Sequence, residues 1–352
     1  MGRLYRFIIG ASEAGLRLDR FLTRHLPSEL SRSMMQRAIR KGLVTVDGRT
    51  AKPHTTLHPE NLVIVQLGRR PAPPEERVTR PQPLPLEIVH EDEDLLIVNK
   101  PPGLVTHPAP GHWEGTLVNA ILWHLQPPQE TQKAHHVPEL IRAGIIHRLD
   151  KDTSGLLVAA KTAVAHASLS RQLKARTLRR QYLALVEGHL PLDVGTVDAA
   201  IGRHLIHRKV MTVRHLGGRR AVTHYRVLRR LVPSEGDPAT LPIPCSFIGV
   251  ALETGRTHQI RVHLSHLGHP VVGDTTYGHH PSSYWQAIGV PRQLLHAYRL
   301  SFHHPKTGQE RTVTAPLPAD MRRWLGEDLG EDPMPTEIRQ RPRSAKIRPP
   351  QA

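Results

Sequence analysis

The 352-residue sequence has very little cysteine and no long apolar stretch. Its single thiol, Cys245, excludes an intrachain disulfide and a cysteine-based zinc site, and such scarcity is typical of a reducing cytosol. No segment approaches the roughly eighteen apolar residues that a membrane-spanning helix needs, and the apolar run before Glu13 is too short for a signal peptide. We therefore expect a cytoplasmic protein with no membrane partner.

Acidic residues are also scarce relative to basic ones. The chain contains 48 Lys and Arg but 31 Asp and Glu, a formal net charge of +17, and the basic residues are spread along its whole length. A basic surface can serve solubility alone, but an excess of this size favours a polyanionic partner, which means nucleic acid. Charge by itself does not separate RNA from DNA.

The length is sufficient for two domains, each with its own core. We expect a small N-terminal domain over residues 1–68, with its core in 15–67, and a large domain over 86–325. Residues 69–85 are rich in proline, which favours an extended linker. Residues 326–352 turn acidic and then rich in Pro, Arg and Lys, which predicts a disordered basic tail that adds RNA affinity.

The N-terminal domain is predicted to contain two short helices and a hairpin. Leu18 and Leu22 would lie on the apolar face of the first helix, and the second helix would run from a serine cap near residue 31 to Arg40. The pair Asp47-Gly48, between two extended stretches, is a hairpin signal.

A cluster of basic residues falls on the second predicted helix. Arg37, Arg40 and Lys41 are spaced to share one face, which suits phosphate contacts, although a solvated face is the ordinary alternative. Segments that include 17–22 and 39–48 resemble the alpha-L RNA-binding domain, first seen in the fourth small-subunit ribosomal protein. The resemblance implies an RNA-binding surface that includes these basic residues: Arg20, Arg32, Arg37, Arg40 and Lys41.

Inside the large domain, strand-like runs outnumber helical patterns. Helices are predicted at 116–125 and at 162–176, the latter capped by Thr162. Several strands follow one another with no helix between them, which favours an α+β fold over a doubly wound sheet. The predicted strands are at 95–99, 155–160, 182–187, 224–228, 248–252 and 271–272.

The most informative segment of the chain is 144–160. Polar residues at 147–154 lie between two apolar strand-like runs, so they would form a loop with both ends held by the core. A rigidly held loop is a good position for a catalytic carboxylate, for which Asp150 is the candidate. The residues at 152–154 are typical turn formers, followed by Gly155.

Two further segments carry candidate site residues. Within 253–264, Arg261 could pair with a carboxylate and keep it ionised, or could form a purely structural ion pair. Tyr182 opens a predicted strand beside several arginines. Because aromatic residues make up 4% of the chain, this tyrosine is a candidate for stacking on an unpaired base, with core packing as the alternative.

Together these segments resemble the RluA-type pseudouridine synthases, which isomerise uridine to pseudouridine in RNA. The resemblance covers about 86–318 and includes the segments at 91–108 and 268–274. The domain order is most similar to the branch that contains the RluD enzymes of large-subunit rRNA. The resemblance implies a mixed, mainly antiparallel catalytic sheet, no metal and no organic cofactor. We expect a monomer that acts on large-subunit rRNA, with tRNA as the alternative and no DNA partner.

The resemblance also assigns roles to individual residues. Asp150 would be the catalytic nucleophile, Tyr182 the ring stacked on a flipped-out target base, and Arg261 the partner of Asp150. Arg148 would hold the flipped nucleotide or fill the gap it leaves. Asp150 could attack the anomeric carbon, add to the uracil ring or act as a base toward a glycal-like intermediate. Two more residues complete the expected RNA contacts: His147 and Arg256.

Two other functions are compatible with parts of the sequence. A metal-dependent nuclease or hydrolase could use His147, Asp150 and Asp152, but the chain has no H-E-x-x-H motif and its paired histidines lie in turn-like contexts. A non-catalytic ribosome-assembly factor would rely on the alpha-L domain and the tail. Activity in a strong chelator argues against the nuclease, and loss of activity on substitution of Asp150 argues against the assembly factor.

Overall fold

The computed structural model of the protein divides into two compact units, residues 1–78 and residues 79–352. Each unit is described by itself. The residues that the structure describes are 3–26, 32–67, 79–109, 112–125, 144–207, 210–234, 240–326 and 332–335.

The first unit is a small four-stranded antiparallel sheet with two helices. The strand order is β1-β4-β2-β3. Leu18, Phe21 and Leu22 of the first helix are buried in its core, as the apolar spacing predicts. Asp19 accepts a hydrogen bond from Gln36 (2.9 Å) and so links the two helices. The elements are β1 Arg3–Ile8, a 3-10 turn Ala11–Glu13, α1 Leu18–His25, α2 Arg32–Arg40, β2 Val44–Val46, β3 Arg49–Thr50 and β4 Leu62–Leu67.

The predicted hairpin is confirmed, whereas the predicted basic helix face needs correction. Asp47 and Gly48 both have positive φ, 51° and 75°, as a two-residue turn between β2 and β3 requires. Helix α2 ends at Arg40, so Lys41 lies in the following turn and not on the helix face. The cause is Gly42, whose φ of 72° reverses the chain at the helix end.

The exposed basic residues of this unit that the structure describes include Arg20, Arg40 and Lys41. Arg32 and Arg37 belong to α2, but their side chains lie outside the described part of the structure.

The second unit contains a nine-stranded sheet. The order is β5-β6-β7-β14-β8-β13-β12-β9, with β15 paired to β14. The β7–β14 pair is parallel and the other pairs are antiparallel, which confirms the predicted α+β class. The elements are β5 Ile88–Glu91, β6 Leu95–Lys100, α3 Leu117–His124, β7 Ser154–Ala160, α4 Ala163–Ala175, β8 Arg179–Glu187, β9 Val194–Asp198, β10 Ile201–Arg203, β11 Met211–Val213, β12 Val222–Leu231, β13 Cys245–Leu252, α5 Gln259–His266, α6 Ser282–Ala287, β14 Leu295–His303, β15 Glu310–Thr314 and α7 Ala319–Leu325.

Central strand β8 is buried on both faces of the sheet. Tyr182 and Ala184 belong to one apolar cluster, whereas Leu183 and Leu185 belong to another. Successive side chains of a strand point to opposite faces, so one strand contributes to two cores. Burial on both faces holds β8 in a defined register, and with it the side chains at its N-terminal end.

Local signals locate most of the predicted elements. Helix α4 begins after Thr162, whose hydroxyl accepts a hydrogen bond from the backbone N–H of Ala165 (3.1 Å).

The predicted strand at 271–272 is wrong, because Val271 forms just one isolated bridge, to Val186. Pro270 has no N–H to donate and Gly273 has a φ of 80°, so the extended run ends after two residues.

Parts of the predicted linker and tail pack on the second unit. The side-chain amide of Asn119 donates to the carbonyl of Arg80 (2.6 Å), so this end of the segment 69–85 is attached to α3. In the predicted tail, Met334 is 3% exposed and Asp332 pairs with Arg299. The prediction of a disordered tail from residue 326 is therefore wrong for 332–335, because the tail supplies an apolar and an acidic contact. Residues 327–331 and 336–352 of the predicted tail, and residues 69–78 of the predicted linker, lie outside the described residues.

Among the residues described, no helix combines the length and the apolar character needed to cross a membrane.

We expect the second unit to lose stability in mild acid. Burial lowers the pKa of His263 and of His296 to about 4. The unfolded chain takes up these protons near the ordinary pKa of about 6.5, so their stabilising contribution is present above that pH and is lost as the pH falls toward 4. At pH 5 each histidine should lower the free energy of unfolding by about 2 kcal/mol relative to pH 7.5.

The measurement is urea unfolding followed by tryptophan fluorescence, because all four tryptophans lie in the second unit. The variant His263→Gln removes one titrating group, so its loss of stability between pH 7.5 and pH 5 should be smaller by about 2 kcal/mol. An unchanged loss in this variant would contradict the assignment of the acid sensitivity to His263.

Candidate active site

A cleft of about 650 Å³ lies in the second unit, at the N-terminal end of β8. Its volume falls within the roughly 300–1,000 Å³ typical of pockets for small ligands. Four parts of the chain form most of it: the loop before β7, the C-terminal end of α4, strand β8, and the segment from the end of β13 into α5. The predicted site residues that line this cleft are His147, Arg148, Asp150, Tyr182, Arg256 and Arg261.

The loop that carries Asp150 is held from outside by hydrogen bonds to its backbone carbonyls. Each donor comes from a different part of the second unit, so the loop cannot shift without breaking several bonds. Such support fixes a catalytic side chain in position. The bonds are Lys100 Nζ to the carbonyl of Lys151 (2.8 Å), Thr106 Oγ1 to the carbonyl of Leu149 (2.8 Å) and Arg292 Nη1 to the carbonyl of Asp152 (3.0 Å).

Gly155 ends the loop where β7 lies parallel to β14. Its φ is 111°, and a Cβ at this position would lie 2.3 Å from the carbonyl oxygen of Ala297. Glycine is therefore required both for the backbone angle and for the close approach of the two strands. This close pairing of β7 with β14 fixes the end of the loop that carries Asp150.

Asp150 forms an ion pair with an arginine that a second carboxylate holds in place. Arg261 Nη1 donates to Asp150 Oδ2 (3.2 Å), while its Nε and Nη2 donate to the two carboxylate oxygens of Asp274 (2.7 and 2.8 Å). Asp274 is fully buried, and it also accepts the backbone N–H groups of Thr276 and Tyr277. The two-point bond to Asp274 orients the guanidinium, so Arg261 presents its Nη1 group to Asp150.

Arg261 remains charged despite its burial. Desolvation by itself would lower its pKa, but the hydrogen bonds and charge of Asp274, together with the charge of Asp150, raise it above the ordinary arginine value. The guanidinium also lies over the ring of Tyr277, with 5.0 Å between its central carbon and the ring centroid. A permanent positive charge therefore lies beside the Asp150 carboxylate.

His258 also lies near Asp150. Its Nε2 is 3.9 Å from Asp150 Oδ1, and its Nδ1 lies 2.7 Å from the hydroxyl of Tyr277. Burial lowers the pKa of His258, with the charge of Asp150 opposing that effect. The residue precedes helix α5 and has a φ of 55°, an uncommon value for a residue other than glycine.

Tyr182 and three basic residues complete the predicted set. Tyr182 is 4% exposed, and burial raises the pKa of its hydroxyl, which stays protonated. Arg148 is exposed at the rim, while His147 is buried. The Nε of Arg256 donates to the carbonyl of Arg220 (3.1 Å), and burial together with the charge of Arg219 lowers its pKa.

Several residues of the site had no signal strong enough to identify them from the sequence. Asp274 belongs to the segment 268–274 that carries the family resemblance, but nothing local indicates that it would hold Arg261. Lys100, likewise inside a resembling segment, was not predicted to support the loop. Arg180, two residues before Tyr182, was also missed as a member of the cleft.

The residues proposed for a metal-dependent nuclease do not form a ligand cluster in the described part of the chain. The histidine and carboxylate groups that lie near enough together to share an ion are those of Asp92, Asp94 and His304, and none of them lines the cleft. Both oxygens of Asp92 are already engaged, one by backbone N–H groups and the other by two histidines.

Replacing Lys100 should loosen the loop that carries Asp150. The side chain is fully buried and donates to three carbonyls, at 2.8–2.9 Å, and burial lowers its pKa to about 7. In Lys100→Met these carbonyls lose their donor, so the free energy of unfolding should fall by about 2–5 kcal/mol. The measurement is urea unfolding, with kcat determined on the folded variant. The control is Lys151→Met, an exposed side chain of the same loop, which should change neither quantity substantially.

Comparison with known proteins identifies the family. A profile of RNA pseudouridylate synthases matches residues 94–266, and a profile of the S4 domain matches residues 16–63. Ribosomal large subunit pseudouridine synthase D of Nitrosomonas europaea is 45% identical over 315 residues, which cover 89% of this chain and 84% of that relative. The chain belongs to the RNA pseudouridine synthase family. It is therefore an RNA-modifying isomerase with an N-terminal S4 domain, which confirms the predicted family, enzyme class and RNA-binding module.

Two further comparisons agree with this assignment. The protein of the same name from Pseudomonas aeruginosa is 42% identical over 326 residues, covering 90% of this pseudouridine synthase and 93% of the relative. The solved structure of human RNA Pseudouridylate Synthase Domain Containing 4 has a TM-score of 0.51 at 23% identity, over 68% of this chain and 91% of that chain. The structural likeness shows a shared fold.

Proposed function

We propose that this pseudouridine synthase modifies specific uridines of large-subunit rRNA and that Asp150 is its nucleophile. The relatives from Nitrosomonas europaea and Pseudomonas aeruginosa are named for the large ribosomal subunit, which supports the choice of RNA. The observation that carries the assignment of Asp150 is its position: a carboxylate paired with Arg261 lies in the same cleft as Tyr182. The predicted cytoplasmic location and monomeric state stay predictions.

The reaction exchanges one glycosidic bond for another. The bond between uracil N1 and the ribose breaks, the base turns, and ring carbon five bonds to the ribose and then loses its proton, while N1 takes up a proton. No atom or electron is gained or lost overall, so an ionised carboxylate in a rigid cleft can carry the reaction. Arg261 donates a hydrogen bond to the Asp150 carboxylate and so orients it. The attack on the ribose, the addition to the ring and the glycal route all begin from that carboxylate.

The target uridine must leave the RNA stack to reach Asp150. Extrusion of a base costs a few kcal/mol, least where the base is already in a loop. Tyr182 is a buried neutral ring that lines the cleft, and stacking on a base contributes about 1–3 kcal/mol toward that cost. Arg148, exposed at the rim, is suited to hold the flipped nucleotide or to fill its vacated position. We therefore expect targets in loops of the rRNA.

The S4 domain is expected to supply affinity that does not depend on the chemistry. Its exposed basic residues, Arg20, Arg40 and Lys41 among them, suit contacts to phosphates. Such contacts make binding depend on salt, because each neutralised phosphate releases counterions. The same basic residues also support the alternative of an assembly factor, which is why activity and binding must be measured separately.

The test is to incubate the protein with unmodified large-subunit rRNA and tRNA transcripts in the presence of a strong chelator. Pseudouridine is then mapped by carbodiimide adducts and primer-extension stops. We expect adducts at defined uridines of the rRNA and none on tRNA. Adducts on tRNA alone would mean that tRNA, and not rRNA, is the substrate. Tight binding with no adduct on either RNA would favour the assembly factor.

A further inference from the structure

Among the described residues of the second unit, one buried arginine lacks the carboxylate partner that the others have. Arg261, Arg292 and Arg299 each form an ion pair, with Asp274, Asp320 and Asp332 respectively. Arg180 is 8% exposed, but among the described residues it forms no ion pair, and its fully buried Nε has no hydrogen-bond partner. A buried charge without a partner costs several kcal/mol, so this position calls for an anion that the described protein residues do not supply.

The cleft leaves room for the guanidinium of Arg180. Arg180 and Tyr182 are two residues apart on β8, so their side chains lie on the same face of the sheet, and both line the cleft. Gly255 also lines the cleft, and a Cβ at that position would lie 2.8 Å from Arg180 Nη1. The absence of a side chain at Gly255 therefore accommodates the guanidinium.

His147 adds a second group with unused hydrogen-bonding capacity. It lines the same cleft and is 8% exposed, and neither ring nitrogen has a hydrogen-bond partner among the described residues. Burial, with the charge of Arg180, lowers the pKa of His147 to about 3, so the ring is neutral at physiological pH. A neutral imidazole donates one N–H and accepts at the other nitrogen.

We propose that Arg180, beside the neutral ring of His147, forms an anion subsite that binds a phosphate flanking the uridine whose base enters the cleft. This inference rests on the proposed function, because the RNA supplies the anion. Uracil is neutral, and Asp150, the catalytic carboxylate of the cleft, already pairs with Arg261. Arg180 matches phosphate because its guanidinium can donate two parallel hydrogen bonds.

The experiment combines Arg180→Met with RNAs that carry a neutral methylphosphonate at one phosphate at a time around the mapped uridine. Binding is measured as Kd and turnover as kcat. We expect one position at which the methylphosphonate raises the wild-type Kd by about 10- to 100-fold. Arg180→Met should raise the Kd for unmodified RNA by a similar factor. In this variant the methylphosphonate at that position should raise the Kd no further. The subsite would be overturned if the effects of Arg180→Met and of the methylphosphonate on Kd were additive, or if Arg180→Met bound unmodified RNA as tightly as wild type.

Two further variants exclude a mere effect on folding. Arg180→Lys retains the charge and should remain sensitive to the same methylphosphonate. Arg299→Met removes another buried arginine, from the neighbouring strand β14, and should lower stability while leaving the methylphosphonate effect at its wild-type size. If the wild-type protein made no pseudouridine but its Kd still rose with the methylphosphonate at one position and the Kd of Arg180→Met did not, the proposed function would fail and the subsite would stand. If the protein made pseudouridine but the methylphosphonate affected wild type and Arg180→Met equally, the proposed function would stand and the subsite would fail.

Discussion

The variant Asp150→Asn should lower kcat by at least about 10⁴-fold while leaving RNA affinity and stability almost unchanged. The amide has nearly the same shape as the carboxylate but cannot act as a nucleophile or as a base. Stability should survive because the charge of Arg261 remains paired with the buried Asp274. The measurement is single-turnover formation of pseudouridine at saturating enzyme, together with Kd for the same RNA.

The matched control for this variant is Asp152→Asn. Asp152 lies in the same loop, two residues later, and its contact with Arg292 is made by its backbone carbonyl, which the substitution retains. Its side chain does not line the cleft, so kcat should stay within about tenfold of wild type. Equal losses in the two variants would indicate a general electrostatic effect of the loop in place of a specific role for Asp150.

The variant Arg261→Met should lose both stability and activity. It leaves the carboxylate of Asp274 fully buried without its arginine, which should lower the free energy of unfolding by about 3–5 kcal/mol. Asp150 also loses its ion pair, so kcat should fall by about 10²- to 10³-fold in the protein that remains folded. Urea unfolding and single-turnover kinetics measure the two effects.

A double variant separates these two roles of Arg261. In Arg261→Met/Asp274→Asn the buried negative charge is removed, so stability should return part of the way toward wild type. Activity should not return, because Asp150 still has no positive partner. Recovery of activity together with stability would mean that Arg261 acts by supporting the fold and not through Asp150. Arg261→Lys should rescue little, because an ammonium group cannot contact both carboxylates with the geometry of a guanidinium.

Most individual elements were predictable because their signals are local. Thr162 identified the start of α4, and the pair Asp47-Gly48 identified a hairpin, since each acts on residues within three or four positions. The polar loop before β7 was visible as an interruption between apolar runs. The errors at 271–272 and at Lys41 came from effects of the same range: a proline and a glycine with positive φ. The error in the tail came from long-range contacts, such as the pair of Asp332 with Arg299, 33 positions earlier.

The cleft itself was predictable through family resemblance and not through local pattern. The residues that meet there come from distant parts of the chain: Asp150 and Arg261 are 111 positions apart. Their contact depends on the order of strands in the sheet, where β14, late in the chain, separates β7 from β8. A periodic pattern predicts which face of a strand is buried, but it carries no information on which strand will be its neighbour.

The sequence by itself determined the charge that favours RNA, the α+β class and the candidate residues Asp150, Tyr182 and Arg261. The tertiary structure alone decided which groups support or complete them: Asp274 behind Arg261, Lys100 beneath the loop, and Arg180 without a described partner beside Tyr182. The physical reason is the range of the interactions. Turns, caps and amphipathic faces arise between residues a few positions apart, whereas ion pairs and buried hydrogen bonds join whichever residues the packed sheet brings together.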